Sequence, residues 1–165
     1  MSTGPALLLI AFGPLCGSLP PRAGLPLLLA GAGAAGFLAG DLEFAARGGA
    51  VALAAAAVFA AARRHGVAPA WTSMIWLALF LVPRWGPALG VVPAAWLWPF
   101  WPGAPLAGAG GWDPLREPAL YERWGGVGVV PASPLWMWLL ALGAVAAGLY
   151  WLGLRRRRAP HASER

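Results

Sequence analysis

The chain has 165 residues, 59% of them hydrophobic and 11% charged, with a mean hydropathy of +0.65, a balance that a water-soluble domain of this size cannot bury. Its formal net charge of +6 comes from 12 arginines against six acids, with four of the arginines in one run, and there is a single cysteine, Cys16. These values exclude a disordered chain, a disulfide scaffold and a soluble nucleic-acid binder, and they point to an all-α integral membrane protein.

A spanning helix takes about 20 mostly apolar residues, fewer where the bilayer is thin, and five runs qualify. Residues 5–19 form the shortest, interrupted by Pro14 and closed by Pro20, Pro21 and Arg22. This run has no positive n-region, no Ala-x-Ala site and no Leu three positions before Cys16, so it reads as retained rather than cleaved. Residues 25–40 and 44–62 flank Asp41, Leu42 and Glu43 and form a tight helical hairpin. Residues 67–82 are the fourth run, which makes 1–83 a four-helix membrane region. After an external Trp/Pro-rich loop over 84–133, residues 134–154 give the last transmembrane helix, and 155–165 a basic cytoplasmic tail.

Gly86 to Gly111 carries no charge, but Pro87, Pro93, Pro99, Pro102 and Pro105 would leave backbone carbonyls unpaired in hydrocarbon. It therefore reads as a loop or a broken re-entrant element. The arginines give an independent check. Five spans with the N-terminus outside place eight arginines inside (Arg22, Arg63, Arg64, Arg155 to Arg158, Arg165) and four outside (Arg47, Arg84, Arg116, Arg123). A sixth span over Gly86 to Gly111 would leave five inside and seven outside. A four-span version, in which residues 5–19 do not cross, keeps the later orientation.

Three groups of residues are candidate functional surfaces. Ala32, Gly36 and Gly40 lie on one face of the second helix; the face either recruits a partner helix or packs against its own hairpin mate. Asp41, Glu43 and Arg47 form a membrane-edge charge cluster, read either as an N-cap with an i,i+4 pair or as an ion or proton relay. Trp96, Trp98, Phe100 and Trp101 crowd one Pro-rich stretch, and with Trp112 and Trp124 they give a candidate docking surface or a bilayer anchor.

The sequence offers no recognisable catalysis. One cysteine permits neither a thiol relay nor a four-thiolate metal site, His65 and His161 fall outside the spans, and the zincin, P-loop, nucleophile-elbow and dinucleotide motifs are absent. No catalytic residue, metal ligand or cofactor is expected. From about Trp96 onward, the Trp/Pro-rich loop, last apolar helix and closing arginine run resemble the C-terminal end of ABC-2-type transporter permeases, although such permeases usually have six spans and a cytoplasmic N-terminus. The Gly40-Asp41-Leu42 tip between small-residue helices resembles the hairpin of the rod-shape protein MreD. The first resemblance implies transport and the second an envelope assembly.

The expectation is a non-catalytic polytopic subunit of a bacterial inner-membrane transport system, working with a separate energy-coupling chain. Its partners would be membrane lipids and other protein subunits, with no nucleic acid. The alternatives are an envelope assembly factor docking through the Trp loop and a small membrane enzyme acting on a lipid-linked substrate.

Overall fold

The computed structural model describes residues 4–40, 42–85, 100–106 and 134–158. Every regular element among them is helical: α1 (Gly4–Phe12), a 3-10 stretch (Gly13–Ser18), α2 (Pro21–Ala39), α3 (Leu42–Arg64), α4 (Pro69–Trp85) and α5 (Leu135–Arg158). These elements fall on the five apolar runs, and their ends follow local chemistry. Pro14 denies α1 an amide donor, and the chain tightens there into the 3-10 form. Pro21 occupies the first turn of α2, where a missing N–H costs nothing.

Gly40 ends α2 in the left-handed conformation, φ 63°, and its N–H returns to the Gly36 carbonyl at 3.1 Å. At the end of α3, Val67 donates to the Ala62 carbonyl and Gly66 to the Arg63 carbonyl around a φ of 76° at Gly66, a Schellman closure. Glu43 in the first turn of α3 and Arg63 and Arg64 in its last turn complement the helix dipole.

Helix α3 is the centre of the bundle, and α1 with its 3-10 extension, α2 and α5 all pack on it. Its alanines permit this: Ala45, Ala52, Ala55, Ala56, Ala61 and Ala62 are all buried, on more than one side of the helix. One cluster joins Ala6, Ile10, Val51, Ala55, Phe59, Trp76 and Leu106, and a second joins Leu9, Leu28, Ala35, Ala52 and Ala56. Many other large side chains point the other way. Leu27, Leu29, Phe37 and Leu38 of α2, Trp71, Met74 and Ile75 of α4, and Trp136, Leu140 and Trp151 of α5 are all exposed.

Glycines allow the closest approaches. A Cβ at Gly17 would overlap the Ala56 carbonyl oxygen, and one at Gly24 the Cys16 carbonyl oxygen. Gly13 faces Ala52 and Gly48 faces Ala6, so α1 and its 3-10 extension run parallel to α3 while α2 runs against both. Helix α5 is also parallel to α3: Gly153 lies against the His65 ring and Arg64 over the Tyr150 ring at 4.6 Å, while Leu135 and Leu142, earlier in α5, pack on the cluster that holds Val51 and Ala55. Arg22, Arg63, Arg64 and Arg155 thus share one end of the bundle, with Arg47 toward the other. Two helices, α3 and α5, are long and apolar enough to cross a membrane; the apolar stretch of α3 is half buried and that of α5 has no buried residue.

Candidate functional site

The small-residue face of α2 packs against its hairpin mate. Ala32 lies opposite Gly49, and a Cβ at Gly36 would stand 3.2 Å from that of Ala45. Gly40 does not belong to this contact. Nothing lies within 4 Å of where its Cβ would be, so its role is the left-handed turn and not the close approach expected of it from the sequence. Of the approach points that matter more, Gly24 stands in no G-x-x-x-G, and Gly17 forms one with Gly13 that spans Pro14 and was not singled out from the sequence.

In the charge cluster, Arg47 donates to the Glu43 carboxylate through Nε at 3.1 Å and Nη2 at 2.5 Å, an exposed i,i+4 pair. Such pairs contribute about 0.3–0.5 kcal/mol. Asp41 lies outside the described residues.

Of the aromatic docking candidates, Trp96, Trp98, Trp112 and Trp124 lie outside the described residues. Phe100 is exposed, but Trp101 is turned inward at 1% exposure. Its indole N–H donates to the Phe80 carbonyl at 3.0 Å, and its ring meets that of Phe80 at 5.7 Å between centroids. Pro102, Pro105 and Leu106 are fully buried behind it. Gly103 is required by the turn, since a Cβ there would enter the Trp101 ring. Residues 101–106 therefore act as a plug packed into the bundle, and Trp101 does not present an outward face.

The basic end holds interactions that sequence patterns did not signal. Arg63 donates to the Ser18 carbonyl at 2.5 Å, tying the 3-10 stretch to α3. The His65 Nε2 meets the Leu149 carbonyl at 2.5 Å; since the carbonyl can only accept, this nitrogen carries the proton, and the half-buried imidazole joins α3 to α5. Sequence reading placed His65 only outside the spans, because its partner is 84 positions away. Arg155 lies over the Trp151 ring at 3.7 Å.

Two apolar grooves open on the bundle surface. One of about 490 Å³ runs between α1 and α2, from Cys16 toward Pro5 and Leu38. The other, about 230 Å³, is walled by α2 and α3 and floored by Cys16 and Gly17. Among the described residues no three His, Cys, Asp or Glu side chains are grouped to hold a metal ion. Comparison with protein-family models, curated proteins and solved structures gave no match.

Proposed function

We propose that the chain is a non-catalytic polytopic subunit of a bacterial inner-membrane transport system, whose energy coupling resides on a separate chain. The observation that carries the membrane part of this reading is the distribution of side-chain size. Alanine and glycine make many of the helix contacts while much of the Leu, Met and Trp faces outward, as in bundles whose solvent is lipid and whose helices associate by close backbone packing. In water the same surface would be an aggregation liability.

We read five crossings, adding three shorter or less apolar segments to the two helices that qualify by length and composition, and helix length and direction support them. The 3-10 stretch rises faster per residue than an α-helix, so α1 with its extension spans about 25 Å, close to the hydrocarbon thickness. Helix α4, with 17 residues, has a similar reach of about 25 Å. The shared end of Arg22, Arg63, Arg64 and Arg155 agrees with the side chosen by the positive-inside count, and the parallel course of α3 and α5 suits a loop that leaves and returns on one side. In this reading residues 101–106 form a re-entrant plug, polar backbone being tolerated at depth where protein covers it.

The transport assignment rests on the resemblance of the Trp/Pro-rich loop, last apolar helix and closing arginine run to the C-terminal end of ABC-2-type permeases. Burial of Trp101 weighs against the envelope-docking alternative, which needed that ring outside. Alkaline carbonate washing of membranes followed by purification in mild detergent tests the proposal. The chain should stay in the membrane pellet and bring down a nucleotide-hydrolysing partner. Release by carbonate contradicts the membrane reading, and a chain that purifies alone and turns over substrate contradicts the subunit reading.

A further inference from the structure

We infer that the groove between α2 and α3 is a binding site for one anionic phospholipid, with an acyl chain in the groove and the phosphate held by Arg22 and Arg63. This rests on the membrane reading above and adds to it a defined ligand. The walls come from Leu25, Leu28, Leu53, Ala56, Ala57 and Ala60, with no charged or polar side chain among the lining residues, so the interior suits hydrocarbon. The floor is formed by Cys16 and by Gly17, which sits tight against the Ala56 carbonyl.

Cations cluster where the groove reaches the bundle's basic end. Arg22 is exposed and adjoins Pro21, a lining residue, one turn before Leu25. Arg63 and Arg64 follow Ala60 by one turn, and Arg63 is anchored on the carbonyl of Ser18, whose two chain neighbours, Gly17 and Leu19, both line the groove. That bond uses a donor of one Nη and fixes the plane of a guanidinium that has further donors to offer a phosphate. Among the described residues the only carboxylate is Glu43, at the opposite end of α3. The larger groove has no such rim: it runs toward Pro5 and Leu38, away from the arginines.

The test is native mass spectrometry of the full chain in detergent, titrated with phosphatidylglycerol or phosphatidylcholine, with melting temperature recorded for each variant. One phosphatidylglycerol should bind per chain in preference to phosphatidylcholine. Arg22→Gln should weaken it about tenfold, through loss of a charged hydrogen-bond donor. Ala57→Trp, a change at an exposed wall position, should block the groove while leaving the melting temperature of the lipid-free chain unchanged. Arg156→Gln with Arg157→Gln, in the terminal run, should leave binding intact.

Equal binding of the two lipids, full binding by both groove variants, or an equal loss in the terminal-run variant would each overturn the site. So would a lipid-free dimer that Ala57→Trp dissociates, since the groove would then hold a second copy. Carbonate extraction of the parent separates the two readings: a chain retained in membranes that does not bind phosphatidylglycerol refutes the lipid site alone.

Discussion

The indole N–H of Trp76 on α4 donates to the backbone carbonyl of Ile10 on α1 at 3.0 Å, in the buried interior. In a continuous α-helix the Ile10 carbonyl would accept from the residue four positions on, which is Pro14 and has no N–H. A proline in one helix is thus compensated by a tryptophan in another. The same ring packs edge-on against Phe59 of α3 at 6.4 Å, so one side chain joins three helices.

Replacing Trp76 with Phe keeps much of the ring and removes the donor. It should lower stability by about 1–3 kcal/mol, the cost of a buried acceptor left unpaired. In a Pro14→Ala background the backbone can supply the donor, so the cost of Trp76→Phe should fall. A double-mutant cycle on melting in detergent measures this coupling; strict additivity would show that the two residues are independent.

Glycine substitutions should fall into three classes. Gly17→Ala and Gly24→Ala drive a methyl into a neighbouring backbone carbonyl, and each should cost about 1–3 kcal/mol or more, as overpacking does. Gly40→Ala has open space but a left-handed backbone, and should cost about 1 kcal/mol. Gly33→Ala, with nothing within 4 Å, should be neutral or stabilising by up to about 1 kcal/mol through helix propensity. Thermal unfolding of the four variants gives the ranking.

Arg47→Gln removes an exposed pair and should change stability by less than about 0.5 kcal/mol. Glu43→Gln should be similarly mild in membrane insertion and in recovery of partner chains. A well-folded Glu43→Gln protein that has lost its function completely would instead favour the relay reading of this cluster.

His65→Ala should loosen α5 from α3 at the basic end without unfolding the bundle, because α5 also packs through Leu135 and Leu142 at its other end. Hydrogen exchange should rise in the last turns of α5 and stay unchanged near Leu135. A uniform rise would mean that His65 supports the whole bundle.

The helices were legible in the sequence because their signals are local. Apolar runs, Pro20–Pro21 and Pro69 at helix starts, Gly40 at a helix end and the charge doublet at Arg63 and Arg64 each act within a few residues of the chain. Gly36 was legible as a packing residue for the same reason, since its mate is the next helix. Gly17, Gly24 and Trp101 were not. Gly17 meets Ala56 in another helix, and whether an amphipathic indole faces inward or outward likewise depends on neighbours far along the chain, while Gly24 meets nearby Cys16 through a contact that no small-residue spacing marks. In Trp101 the pattern of Trp and Pro suited a docking loop, but the carbonyl of Phe80, 21 positions earlier, decided its direction. Arg63 and His65 likewise read only as an inside charge and a ring beyond the spans until Ser18 and Leu149 were placed beside them.

The central claim is that the two ends of α3 lie on opposite sides of a membrane, with the basic end inside. Leu42 at one end is 82% exposed and Val67, just past the other, is 39% exposed, so each accepts a thiol reporter. The direct measurement is maleimide labelling of Leu42→Cys and Val67→Cys, each in a Cys16→Ser background, with a membrane-impermeant reagent on spheroplasts and on lysed membranes. The account predicts that Leu42→Cys reacts on intact spheroplasts and that Val67→Cys reacts only after lysis. Labelling of both sites from outside, or of Val67→Cys alone, would contradict it.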